Sequence, residues 1–280
     1  MALIAALQDG FRRDPLTAIT AGFLVAVCAL ALIGPWLTVH DPLATDAADA
    51  LRPPSWRFPC GTDQVGRDIC TRIVHAARLD LAIAASAVGL AIVVGSALGS
   101  VAGFFGGWID RIAMWVVDTI MAFPLFVLAM GIVAALGSSV ENIIYATAIV
   151  NVPFYARTVR AEINQRREAG FVEAARVSGN GSLRVLAYHL FPTTVPQLAV
   201  QMTLTMGWAM LNAASLSYIG LGIRPPTPEW GIMVAEGAGF IITGEWWVAL
   251  FPGLALVLVV LSLNLLGDGL RDMIDARERR

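Results

Sequence analysis

From Leu16 to Val39 the chain carries no charged residue, and this run constrains the fold more than any other feature. About 20 apolar residues suffice to cross the hydrocarbon core of a bilayer as a helix. A cleavable secretory signal has a shorter apolar core, roughly 7–15 residues, so this run reads as an anchor that stays. Only Pro35 interrupts it. The cleavage-like text Ala48-Asp49-Ala50 lies too far beyond it to serve. Further apolar runs predict spans at 79–105, 112–136, 143–159, 195–216 and 246–266. Charged residues make up 14% of the chain, against about 25% in a soluble domain. The expectation is an all-α membrane protein with six transmembrane helices.

This divides the chain into an N-terminal segment 1–15, a first span 16–39, a polar loop 40–78, a five-helix core 79–267 and a tail 268–280. The core contains a long polar loop, 160–192. In the second span, Gly89, Gly95, Gly99 and Gly103 allow close helix packing, which places that helix inside a bundle. The third span holds Asp118 and Pro124. An ionisable residue in a span is a functional candidate, although Asp118 lies only two turns from Arg111 and an interfacial role is the alternative. Pro153 can kink the fourth span. The fifth carries the most polar groups, including Gln197, Gln201, Thr203, Thr205, Asn212 and Ser215. Lipid cannot satisfy these groups, so they face partner helices or a water-filled path. Trp246 and Trp247 suit interfacial anchors at the start of the sixth.

The loop 40–78 contains GTDQVGRD at 61–68. Gly61 and Gly66 suit turns there, and Asp68 suits a helix N-cap. Ile69 to Arg78 has apolar residues at helical spacing opposite Arg72 and His75. It forms either a surface-lying amphipathic helix or an extension of the next span. Cys60 and Cys70 lie ten residues apart in this loop, and both a disulfide and small apolar filler fit them. The later loop 217–245 opens with a segment stiffened by Pro225, Pro226 and Pro228.

The chain has nineteen basic residues, all arginine. Without a lysine no Walker A phosphate loop is possible, so any driving nucleotide is bound by another chain. Three histidines and three cysteines are too scattered for a metal cluster, and no paired His and Ser within spans suggests a hydrolase. Thirteen of the arginines fall on the side of both termini and the 160–192 loop. The positive-inside rule places that side in the cytoplasm.

Within the cytoplasmic loop, Phe171 to Ser178 predicts a two-turn helix with Glu173 in its first turn, where the dipole favours an acid. Ala174 and Ala175 would leave a smooth face for close approach. Gly179 suits the left-handed residue that closes such a helix. Ser182 can cap a second helix, 183–191, which Pro192 is expected to end.

Glu173-Ala174-Ala175, then Gly179, then Pro192 resembles the coupling motif of permease subunits of ABC importers. His189-Leu190-Phe191 before that proline departs from the general pattern and is similar to the peptide-importer branch. GTDQVGRD (61–68), YIGLGIRPPTPEWG (218–231) and NLLGDGLRD (264–272) resemble the second permease of dipeptide, oligopeptide and nickel importers. The resemblance implies a type I ABC importer permease (MetI-like) fold in the inner membrane. It implies no catalysis and no cofactor in this chain, with ATP and Mg bound by two partner ATPase subunits. The other partners implied are a homologous permease, forming a heterodimer, and an extracytoplasmic substrate-binding protein.

Under the resemblance, Glu173, Ala174, Ala175, Arg176 and Gly179 couple to the ATPase. Asp118, Gln201, Thr205 and Asn212 are candidates for the translocation path, with bundle glue as the alternative for the fifth-span residues. Pro225, Pro226, Glu229 and Trp230 are candidates for docking the binding protein. The family often has apolar residues where Cys60 and Cys70 stand, which favours apolar filler. Peptides are the expected substrate, with nickel or another small solute such as glutathione or an opine as the alternative. A channel or secondary transporter is disfavoured because no mid-span charge pair or repeat is evident.

Overall fold

The computed structural model describes residues 14–278, and side chains as far as Ile274. Arg12 and Arg13, with most of the expected N-terminal segment, and the tail's Arg279 and Arg280 lie outside the described residues. The helices are α1 (Pro15–Leu37), α2 (Ile69–Phe105), α3 (Gly107–Met121), α4 (Leu125–Leu136), α5 (Val140–Arg166), α6 (Gly170–Val177), α7 (Val195–Tyr218), α8 (Trp230–Ala238) and α9 (Trp247–Glu278). Among the described residues there is no strand, only an isolated bridge between Thr62 and Asp68.

Three helices are long and apolar enough to cross a membrane alone: α1, α2 and α9 as far as Ile274, with mean hydropathies of 2.5, 2.3 and 2.4. Helices α3 and α4 reach that standard only as a pair, and they are bent 87° to each other. The single continuous helix expected over 112–136 is therefore corrected to two helices with a sharp bend between them. Pro124 supplies the cause. It cannot donate a backbone hydrogen bond and it disfavours helical geometry at Phe123, so the chain leaves α3 and restarts as α4. Helices α5 and α7 are long enough, but their asparagines, glutamines and arginines lower the hydropathy.

Several element boundaries also differ. The stretch from Ile69 to Arg78 is the first part of α2, a continuous helix of 37 residues. Helix α5 passes through Pro153 and continues to Arg166, beyond the expected end at 159. Its extra turns are anchored by arginine pairs to α3. Ser182 is not an N-cap; it opens a helical turn over Ser182–Arg184. Pro192 does not end that helix. The path widens to a π-helix over Val185–Leu190, tightens over Phe191–Thr194 and runs on into α7. A proline ring crowds the carbonyl four residues back, and the change in winding accommodates it.

The principal interface is α2 against α5, which run parallel. A β-carbon on Gly99 would lie 2.3 Å from the Ala156 carbonyl oxygen, and Gly95 and Gly103 meet Val152 and Arg160 in the same register. Backbones approach this closely only where one side chain is absent. Around this ridge α7 and α9 complete the main core. Helix α4 packs on α5 and α7 in a second, smaller cluster that includes Ile83 and Ile223. Helix α1 lies at the periphery against α2 and α9.

Candidate functional site

At the end bearing the 160–192 loop, α5 closes into a short turn and reverses through α6. Val172 and Ala175 point inward against Val185, Leu186 and Leu190 of the π segment. Glu173, Ala174 and Val177 point outward, beside exposed Phe171, Leu183 and Tyr188. The expected smooth face of two alanines is thus corrected: Ala175 is buried by its own chain, and Ala174 alone faces out. The helix ends in a Schellman motif. The Asn180 N–H donates to the Ala175 carbonyl at 3.2 Å and the Gly179 N–H to that of Arg176 at 2.9 Å, with Gly179 at φ +84°. The Asn180 amide adds a second bond to Ala175 at 2.9 Å. The Arg176 guanidinium sits over the Phe104 ring, 5.8 Å from its centroid.

Two arginines of α5 tie α6's support to α3. Arg160 grips both oxygens of Asp110, one at 2.6 Å. Arg157 donates to Asp118 at 2.5 Å, and both side chains are about half exposed or more. Asp118 therefore sits in an ion pair at the edge of the bundle, away from a cavity between the helices.

That cavity holds about 390 Å³ and lies between α4, α5, α7, α8 and α9. Phe126, Val150, Trp208 and Leu211 make it mostly apolar, and Asn151, Asn212 and Ser215 supply polar groups. Among the described residues no acid, arginine or histidine lines it. Of the expected path residues, only Asn212 reaches this space. Thr205 is buried, bonded to the Tyr155 hydroxyl and the Gln201 carbonyl, so it joins α7 to α5. Gln201 is half-buried outside the lining. Asn151, which donates to the Thr147 carbonyl at 2.7 Å, was not anticipated. An amide two residues before the span's proline was the available signal.

At the opposite end, GTDQVGRD builds a rigid cap. Asp63 accepts from Arg67 Nε at 2.6 Å and from Arg72, while Glu236 of α8 accepts from both arginines at 3.2–3.4 Å. Arg72 is 1% exposed. Asp68 caps α2, accepting from the Thr71 N–H at 3.1 Å. Cys60 and Cys70 form a disulfide with their Cα atoms 5.3 Å apart, which corrects the apolar-filler expectation. Trp247 is also corrected: its indole donates to the Thr62 carbonyl at 3.2 Å inside the cap, leaving Trp246 exposed.

Pro225 and Pro226 are exposed, as docking would require. Glu229 and Trp230 are each only 2% exposed, so the expectation that they contact a partner directly is corrected. Glu229 caps α8, accepting the N–H groups of Gly231 at 2.9 Å and Ile232 at 2.8 Å. Burial pushes its carboxyl up to about 7, against those bonds and one from Ser217. The preceding N–H of α8, that of Trp230, goes to Asp80 of α2 at 3.1 Å. Asp80 was likewise not anticipated, although a lone acid near the start of a span marks such a site.

A family model described as binding-protein-dependent transport system inner membrane component matches residues 95–280. The chain belongs to this family. Its relatives include a dipeptide transport system permease protein of Alkalihalophilus pseudofirmus, 40% identical over 95% of this chain and 87% of the relative. A probable D,D-dipeptide transport system permease protein of Escherichia coli K12 is 38% identical over 95% and 89%. A glutathione transport system permease protein of Escherichia coli is 39% identical over 95% and 88%. The chain is thus an inner-membrane permease of an ABC importer, a transport subunit and not an enzyme. Such a permease works with a substrate-binding protein and ATPase subunits. The matched region of the permease includes the glycine ridge, the α6 turn and every helix that lines the cavity; α1 and the cap motif precede it.

Proposed function

We propose that this permease pairs with a homologous permease to pass di- and oligopeptides across the inner membrane, driven by two ATPase subunits that dock on α6. It crosses the membrane six times and keeps both termini in the cytoplasm. Helices α1, α2, α5, α7 and α9 form five crossings, and the bent pair α3–α4 forms the other. The arginine distribution supports this orientation. The observation that carries the coupling role is the two-faced α6. One face is locked onto the core through Val172 and Ala175, and the other offers Glu173, Ala174 and Val177 with no ion pair to Glu173 among the described residues. A push on the outer face moves the inner one, and with it the segment that runs unbroken into α7.

The peptide reading rests on relatives named for dipeptides and for glutathione, itself a small peptide. The cavity suits that substrate class. Asn212 and Asn151 present amides to match a peptide bond, and the apolar walls accept varied side chains. ATP and Mg stay on the partner subunits, and their binding shifts the population of inward- and outward-open states. Exposed Pro225 and Pro226 are the part of the external loop that meets the binding protein. The test is uptake of labelled dipeptide into proteoliposomes holding this chain with its partner permease, ATPases and binding protein. Uptake that requires ATP and is competed by other dipeptides supports the reading. Uptake of nickel alone, or uptake without ATP, contradicts it.

A further inference from the structure

Asp80 and Glu229 cap the same helix start from two different elements. Three successive N–H groups of α8, those of Trp230, Gly231 and Ile232, are taken by these two carboxyls. Both acids are buried, at 8% and 2% exposed, and their oxygens sit on neighbouring N–H groups of one helix start. Among the described residues neither has an ion-pair partner. Arg67 and Arg72 are committed to Asp63 and Glu236 in the cap. On α2, His75 is bonded to Thr38 and Arg78 is exposed. Helix α7 has no charged residue, only exposed Tyr218 at the cavity, and Arg224 on the connecting segment is exposed. On α5, Glu141 and Tyr145 are exposed.

Two buried carboxyls set against one helix start, with no positive partner among the described residues, cannot both ionise. What they hold in place is a wall of the cavity. Gly231 and Val234 of α8 line the cavity, and Gly231 packs directly on Ala214 of α7. Two further polar ties join α8 to α2: the Trp230 indole donates to the Ile73 carbonyl at 3.1 Å, and Glu236, near the far end of α8, accepts from Arg72 at 3.2 Å.

We infer that Asp80 and Glu229 share one proton and through it position α8 as the outer wall of the cavity. Asp80 is a positioning residue, acting on the path only through α8. Loss of the shared proton puts two like charges against one helix start and unseats α8. Burial raises the Glu229 carboxyl in the seated form, so its proton is held more tightly there and raising the pH favours unseating. The part of this concerning transport rests on reading the cavity as the path.

The test uses the full chain in membranes containing the assembled importer. Val234→Cys is introduced in a Cys28→Ala background, and its maleimide labelling is followed against pH, with and without Asp80→Asn. The asparagine still accepts the Trp230 N–H, and its amide stands in for the protonated acid, so it holds α8 seated at every pH. Thiol ionisation affects both proteins equally and cancels in their ratio. On the alkaline side of neutrality, labelling with Asp80 intact rises above that of D80N by up to about tenfold per pH unit. At acidic pH the two agree. A ratio that stays constant across pH overturns the inference. So does an infrared spectrum in which D80N removes no protonated-carboxyl band. Peptide uptake is read separately, in unlabelled membranes whose importer keeps Val234. Normal labelling behaviour without uptake contradicts the transport reading and leaves the proton-sharing seat supported.

Discussion

The Arg176 guanidinium rests over the Phe104 ring, and this contact joins the outer turn of α6 to the inner end of α2. A cation over an aromatic face at this kind of exposure is worth about 0.5–1 kcal/mol. The contact is too weak to hold the fold, but it fixes the angle at which α6 meets the ridge helix. Arg176→Leu is expected to shift the thermal midpoint of purified protein by only a few degrees while lowering coupled uptake several-fold. Lysine at this position retains the charge and should recover part of the uptake. Equal loss of stability and uptake would assign Arg176 to folding alone.

Gly179 separates geometry from space. A β-carbon there would meet nothing within 4 Å, yet φ is +84°. A β-branched residue in the left-handed region costs on the order of 1–3 kcal/mol, whereas asparagine tolerates it. Gly179→Val should therefore insert normally and lose uptake, and Gly179→Asn should keep most of it. Membrane levels by immunoblot alongside uptake distinguish the two effects. Similar uptake for both variants would show that the Schellman turn does not matter.

Gly99 poses the opposite problem. Its missing β-carbon would fall 2.3 Å from the Ala156 carbonyl oxygen, against rigid backbone. Gly99→Val must push α2 and α5 apart, at a cost of several kcal/mol by the overpacking mechanism. The expected outcome is failure to accumulate in the membrane. Gly22→Val on α1, where a β-carbon meets nothing within 4 Å, should accumulate normally.

These glycines mark how much the sequence revealed. The membrane class, the ridge on the second span and the α6 turn were all legible. Each depends on local chemistry: apolar length, small residues at helical spacing, and a positive-φ closure. The 87° break at Pro124 was not read, because a proline in a span bends or merely kinks according to what packs on either side. The inward turn of Ala175 and the burial of Glu229 and Trp230 depend on long-range contacts that periodicity does not encode. The partnership of Asp80 with Glu229 spans roughly half the chain, and no local pattern records it.

The GTDQVGRD cap gives a prediction about stability. Arg72 is 1% exposed and bonds both Asp63 and Glu236. Replacing it with methionine leaves buried Asp63 and partly buried Glu236 without that partner, at a cost of up to about 3–5 kcal/mol. Reducing the Cys60–Cys70 disulfide should cost less, roughly 2–4 kcal/mol, because it closes only a short loop. Thermal unfolding in detergent, with and without reductant, ranks the two. A small effect of Arg72→Met would mean that water or a rearranged Arg67 satisfies the acids.

The central claim is that α6 is the contact through which ATP hydrolysis drives the path. Glu173 is exposed on its outer face, so Glu173→Lys changes that surface without disturbing the core. The most direct measurement is the number of peptides taken up per ATP hydrolysed by the reconstituted importer carrying this substitution. The account predicts wild-type insertion and a ratio near zero, with hydrolysis no longer raised by the loaded binding protein. An unchanged ratio at normal insertion would contradict it.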